Sequence, residues 1–406
     1  MNFRSFLAEN ARWLAAGGML TFGSSFGQTY FIALFSGQIR AEFGLSHGMW
    51  GAIYTAGTLA SAATLMFAGG LADRFRIRAL TLGVLAGFAA ICIGMSQVTG
   101  PLTLALAIYG LRFCGQGMMS HMAFTAMGRW FRAQRGRAVA ISALGYAGGE
   151  TILPAIVVLV TAQLGWRGAW VASAGFLLLL APVMLWLLAR ERTPQNLALD
   201  DAQPGLGGRH WTRNQALGHW LFWALVPGLL ANAFIGTAIF FQQVELATRK
   251  GWSLGVIAAA YPLYAAAGIG ASFIAAWAVD RFGARRLLPL YQLPMACGAL
   301  ALALGDSVWV AWVTFTLLGV TQGGAMAVTG SLWPEFYGTH HIGAIRGLAV
   351  GTMIFATAMG PGVTGILLDL GVPLETQFAA MAAYVFTICA GYGFLAVRIR
   401  KEFAQS

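Results

Sequence analysis

Charge is what this sequence has least of. Only 10% of its 406 residues are Asp, Glu, Lys or Arg, while 58% are hydrophobic; a water-soluble chain carries about a quarter of its residues as charges. That shortage excludes an aqueous globular fold, whose surface would need them. Cysteine is scarce as well. Cys92, Cys114, Cys297 and Cys389 fall in four separate apolar segments without metal-ligand spacing, so they read as buried filler and imply neither a disulfide framework nor a metal site. No phosphate-binding glycine loop, no His/Glu metal motif and no Ser/His/Asp set stands in the chain, which argues against an enzyme and against a cofactor. Strict polar and apolar alternation is missing too, and with it the pattern of a membrane β-barrel.

What is present is long apolar runs separated by short basic clusters. A bilayer core of about 30 Å takes about 20 helical residues to cross, and twelve runs of that order can be marked. They cover approximately 13–39, 48–72, 79–97, 101–128, 137–163, 167–189, 217–246, 254–278, 286–304, 307–332, 345–368 and 374–397. Lipid offers bare peptide groups no partner, so each run is expected to be a helix. The fold class expected is therefore an all-α polytopic membrane protein, with the lipid bilayer as its first partner.

The basic residues test that count. With both chain ends in the cytoplasm, 20 of the 25 Lys and Arg fall in cytoplasmic segments; only Arg40, Arg167, Arg249 and Lys250 lie outside and Arg112 lies within a span. One helix missed or invented would move every later loop to the other side and destroy the bias. The net charge of +11 thus reads as topology in an inner (plasma) membrane, and nucleic acid is not an expected partner. Arg4 and Arg12 precede the first run as they would in a signal peptide, but its length and the lack of a small-residue cleavage site favour a retained span.

The halves repeat. Asp73, Arg74, Phe75 after the second run match Asp280, Arg281, Phe282 after the eighth, 207 positions on; Arg135-Gly136 matches Arg346-Gly347 at 211. Domains are expected at 1–189 and 217–406. Residues 190–216, with Pro194, Pro204, Gly205, Gly207 and Gly208, read as a cytoplasmic linker. Two parallel six-helix halves with an acid and arginines in these loops resemble the major facilitator superfamily over the whole chain. That resemblance implies a secondary transporter of a small solute, working by alternating access. It also gives a gating role to Asp73 and Arg74, with Asp280 and Arg281 in the second copy, while the arginines fix topology in either case.

A closer resemblance is to the monocarboxylate and oxalate/formate-type branch. It rests on Ser25, Phe26, Gly27 and Phe31, on the stretch from Phe43 to Ala56, and on Trp130, Phe131, Arg132, Arg135, Ala138, Gly145 and Gly148. The chain departs from that branch in the eighth run, which has no charge before Asp280 where those carriers place an arginine, and in the eleventh, which has no lysine.

Ionisable groups inside the hydrocarbon are costly and so informative. Arg112 lies about twelve residues into the fourth run and Glu150 about fourteen into the fifth, which at about 1.5 Å per residue brings both to mid-membrane. Two readings stand side by side: a buried neutralising pair, or a pair that switches as Glu150 takes up a proton and frees Arg112 for an anion. Leu111, Arg112, Gly115 and Gly117 fit the family's helix-4 pattern, in which the arginine is tied to proton coupling. His121 reads equally as a packing histidine or as a proton relay.

Candidate solute contacts are Arg112 and the polar residues Gln28, Tyr30, Gln116, Asn232 and Gln322, each of which could instead join helices. Gln116 and Gln322 are favoured because Gly115-Gln116-Gly117 aligns with Thr321-Gln322-Gly323. Gly145, Gly148 and Gly149, with Gly360, Pro361 and Gly362, occupy corresponding places where helices approach closely. The expectation is a monomeric, proton-linked carrier (a symporter) of a small organic anion, with protons and the solute as partners. A drug/proton antiporter and a non-transporting sensor of the same fold remain as alternatives.

Overall fold

The computed structural model describes residues 3–131, 135–190, 205–338 and 340–404, and every regular element among them is a helix. The chain divides into two compact units, Met1–Ala198 and Leu199–Ser406. Most of the expected linker, 191–204, and Arg132 lie outside the described residues.

Among the described residues the first unit holds six helical segments. Helix 1 is composite, made of Phe3–Gly23, a 3-10 turn Ser24–Gly27, Thr29–Ala33 and Ser36–Phe43. Helix 2 is His47–Ala68 and helix 3 Ile77–Ser96. Helix 4 runs from Pro101–Leu111 through a π turn, Arg112–Met119, to Ser120–Trp130. Helices 5 and 6 form one run, Arg135–Leu187, interrupted at Gly165 (φ 66°), where a side chain would be strained. In the second unit helix 7 is Trp220–Phe241 with Gln243–Lys250, and helix 8 is Leu254–Phe282. Helix 9 is Leu293–Leu304, helix 10 Val308–Tyr337, helix 11 Ile342–Asp369 and helix 12 Leu374–Ala404.

Eight of these runs, the merged helices 5 and 6 counting as one, are long and apolar enough to cross a bilayer. The others are helices 1 and 4, whose α geometry is interrupted, and helix 9, which is expected from residue 286 but becomes regular only at Leu293. Before it stand a short turn, Ala284–Leu287, and the irregular residues up to Gln292.

The repeat is visible in local geometry. Ser36–Phe43 ends at Gly44 (φ 60°) and Gln243–Lys250 ends at Gly251 (φ 67°), 207 positions on. Ser46 and Ser253 then stand at the N-caps of helices 2 and 8. Tyr54 and Tyr261, again 207 apart, each donate to a side chain of the preceding composite helix: Tyr54 to Thr29 Oγ1 at 2.7 Å, Tyr261 to Gln243 Oε1 at 2.8 Å.

Three of the basic residues expected outside the cytoplasm are paired with acids. Arg167 pairs with Glu42 at 2.5 Å, Arg249 with Glu245 at 2.8 Å and Lys250 with Asp306 at 2.6 Å. Arg167 also donates to the Ser96 and Val98 carbonyls, tying the ends of helices 1, 3 and 6 together. Hydrogen bonds from Arg167 and then Trp166 hold the Glu42 carboxyl below the ordinary carboxylate range. A lowered native pKa means the contribution is full above the unfolded pKa of about 4.3 and is lost as pH falls through the native value. Wild-type protein should therefore melt above Glu42→Gln at neutral pH, by an amount worth roughly 0–1 kcal/mol for so exposed a pair. The two melting curves should converge in acid, and a gap that widens there would remove this account.

Candidate functional site

Helix 1 is broken where it meets helix 4. The turn Ser24–Gly27 ends at Gln28 in extended conformation (φ −83°, ψ 153°). A Cβ at Gly27 would lie 2.2 Å from the Leu111 carbonyl oxygen, and one at Gly115 would lie 2.6 Å from the Gly27 Cα. Only glycine at both places lets the two backbones touch. A break of this kind leaves carbonyls without helical partners at the negative end of a helix dipole.

Arg112 answers that need. Its side chain is 0% exposed, and Nη1 donates to the Gly27 carbonyl at 3.0 Å and to Thr29 Oγ1 at 3.3 Å. The guanidinium carbon sits 5.2 Å from the Tyr54 ring centroid, an attraction of about 0.5–2 kcal/mol. Nε and Nη2 are buried with no hydrogen-bond partner. Those two nitrogens form one edge of the guanidinium, the fork that matches a carboxylate in bidentate fashion.

Glu150 approaches the same break from helix 5. A Cβ on its neighbour Gly149 would lie 2.1 Å from Ser25 Oγ and 3.2 Å from the Tyr30 hydroxyl, so helix 5 rests on helix 1 at this level. Glu150 is partly exposed and interacts electrostatically with Tyr30 and Tyr146. It forms no ion pair with Arg112, which corrects the reading of a buried neutralising pair. The break gives the arginine a carbonyl to hold, and Glu150 stands among hydroxyl groups.

The remaining candidates in this unit are dispersed. Gln28 lies at the break and Gln116 in the π turn, both partly exposed, and Tyr30 is buried. His121 bonds through Nε2 to the Gly69 carbonyl at 3.0 Å, joining helix 4 to the end of helix 2. Asp73 and Arg74 belong to a short turn, Leu71–Arg74, but their side chains lie outside the described residues. Arg129 ties that turn to helix 4 by donating to the Ala72 carbonyl at 2.8 Å. In the second unit Asp280 and Arg281 are exposed in the last turn of helix 8, with Arg281 over the Trp277 and Phe282 rings at 6.0 and 5.8 Å. There Glu335 accepts the Ala284 amide hydrogen at 3.2 Å. Arg129 and Glu335 are 206 positions apart, the offset that relates Gln116 to Gln322.

Asn232 and Gln322 are brought together in the second unit, where they line one pocket with Leu229, Tyr291, Met326 and Thr329. Sequence reasoning missed Tyr291 and its neighbour Gln292, and also Thr29 and Tyr54 around Arg112. Gln292, a carboxamide at the edge of a long apolar run, was the signal available. At the positions corresponding to the helix 1 break, helices 7 and 10 run as uninterrupted α-helix, and Leu318 stands in place of the arginine. The break and the group that caps it are thus confined together to the first unit.

A family model described as Major Facilitator Superfamily matches residues 17–361 and 236–402. No curated protein matches the chain. Among solved structures, a bacterial homolog of the human lysosomal transporter Spinster, in an inward-facing and unoccupied conformation, is similar with a TM-score of 0.74 and 18% identity, over 98% of each chain. The nucleoside transporter NupG is similar with a TM-score of 0.69 and 11% identity, over 94% of this chain and 98% of that one. At these identities the likeness is one of fold.

Proposed function

The chain belongs to the major facilitator superfamily, and from that membership we propose that it is a proton-linked secondary transporter of a small organic anion. The observation that carries the anion is the Nε and Nη2 edge of Arg112, buried and without partners. An unpaired guanidinium edge in a low-dielectric site is costly, and an incoming carboxylate relieves that cost with two charge-assisted bonds. The monocarboxylate-type branch fits this chemistry, with the helix 4 arginine doing what the missing helix 8 arginine does in other members.

Glu150 is the proton carrier in this reading. It follows Gly149, which packs on Ser25 and Tyr30 at the helix 1 break, so a change in its charge acts on the same break that the anion acts on, and His121 serves as a relay toward helix 2. Gln28, Tyr30 and Gln116 supply further contacts in the first unit, Asn232 and Gln322 in the second. Asp73, Arg74, Asp280 and Arg281 gate the two loops as the halves rock, and the protein works as a monomer in the inner membrane with both ends in the cytoplasm. Purified protein in liposomes should accumulate short carboxylates when a pH gradient is imposed and merely equilibrate them when it is collapsed. Binding without movement of any solute would turn the reading toward a sensor.

A further inference from the structure

The second unit holds a pocket whose chemistry differs from that of Arg112 and Glu150. It is lined by Asn232 on helix 7, Tyr291 before helix 9, Gln322, Met326 and Thr329 on helix 10, and Met353 on helix 11. No charge lines it, and its free space is about 70 Å³. A single ordered water takes roughly 10–15 Å³ of such cavity space, so the pocket admits a group of a few heavy atoms.

Its polar groups are held ready. Gln292 is fully buried, and its Nε2 donates both to the Tyr291 hydroxyl at 2.6 Å and to the Gly228 carbonyl at 2.7 Å. Tyr291 thus accepts a hydrogen bond, while its own hydrogen has no acceptor among the described residues and is free to donate. The Asn232 and Gln322 carboxamides, each a donor and an acceptor, likewise make no side-chain hydrogen bond there. Thr329 spends its hydrogen on the Ala325 carbonyl at 2.6 Å and retains only acceptor capacity. The pocket therefore offers donors and acceptors together, between two adaptable methionines.

A proline stands in helix 7 just before the pocket. Pro227 cannot donate, and the next amide, Gly228, donates to the Tyr392 hydroxyl at 3.0 Å while that hydroxyl donates to the Leu225 carbonyl at 2.8 Å. A Cβ at Gly228 would meet the Tyr392 oxygen at 2.2 Å. Helix 12 thereby supplies partners to the turn of helix 7 that precedes Leu229 and Asn232.

We propose that this pocket is a selectivity site for a compact uncharged group that both donates and accepts hydrogen bonds, a hydroxyl or a carboxamide, carried by the transported solute. The proposal rests on the transporter reading and adds to it the class of solute: functionalised short organic acids over plain aliphatic ones. Charged groups are disfavoured there because nothing in the lining compensates them, and a purely apolar group would strand three unpaired polar side chains.

The test is binding to purified full-length protein with matched probes: butyrate, 3-hydroxybutyrate, succinamate and the uncharged butane-1,3-diol. Wild-type protein should bind 3-hydroxybutyrate or succinamate about tenfold or more tightly than butyrate, the stronger of the two identifying the group. Asn232→Leu and Gln322→Leu should each bring that probe down toward butyrate, while Gln322→Asn, which keeps the carboxamide, should retain part of the preference. Unliganded melting temperatures report whether each variant folds, and partial retention in Gln322→Asn answers the question even where a leucine variant does not. Equal wild-type affinity for plain and functionalised probes overturns the proposal, as does a wild-type protein that responds to none of the four. The transport reading falls on a different result, the absence of gradient-dependent uptake of any carboxylate.

Discussion

In proteoliposomes, Glu150→Gln should lose accumulation driven by a pH gradient while still exchanging labelled for unlabelled solute. Glutamine copies the size and hydrogen-bonding of a protonated glutamate and cannot release a proton. Such a carrier is fixed in the loaded-proton condition, in which exchange needs only that the solute-bound states interconvert. Net accumulation needs the proton to leave on the far side, and that step is gone. For one proton per solute, a gradient of one pH unit supports about tenfold accumulation, so the expected change is from about tenfold to unity. Glu150 stands beside Tyr30 and Tyr146 at the level where helix 5 rests on helix 1. Glu150→Asp, which keeps the proton but retracts the carboxyl by one methylene, should couple with reduced velocity. Full gradient-driven accumulation in the glutamine variant would remove Glu150 from the coupling.

The helices were legible because the bilayer imposes one length and one composition on every crossing. Helices 2, 3, 7, 8, 10, 11 and 12 follow from hydropathy alone, and the doubling of the fold follows from Asp73 and Asp280. The irregular turns were not legible, and the site depends on them. Nothing but Gly27 in the stretch Ser24-Ser25-Phe26-Gly27-Gln28 marks a break, and a π turn over Arg112–Met119 has no sequence pattern at all. Hence the two opposite charges at mid-membrane were set against each other, since no other partner for Arg112 can be seen until the Gly27 carbonyl is known to lack a helical one. The selectivity pocket was half legible. Gln322 was marked by its repeat partner Gln116 and Asn232 by its depth, but Tyr291 belongs to an irregular stretch that hydropathy merges into helix 9.

Arg112 has two tasks that a pair of substitutions should separate. Nη1 closes the end of broken helix 1, while Nε and Nη2 present the fork. Arg112→Lys keeps a positive donor for the Gly27 carbonyl and loses the fork; Arg112→Ala loses both. Removing the donor leaves a buried carbonyl unsatisfied, a cost of about 1–3 kcal/mol, so the alanine variant should melt well below wild type and the lysine variant close to it. Binding should behave differently. Hydrogen bonds to a charged group are worth about 1.5–3 kcal/mol, so both variants should bind short carboxylates roughly ten- to a hundredfold more weakly. Melting curves with and without carboxylate measure both quantities on one sample. Should the lysine variant keep wild-type affinity, the guanidinium serves helix 1 alone and the anion is held elsewhere. Should it instead lose affinity and melt as low as the alanine variant, the planar group is what the break requires, and the binding loss then follows from collapse of the break.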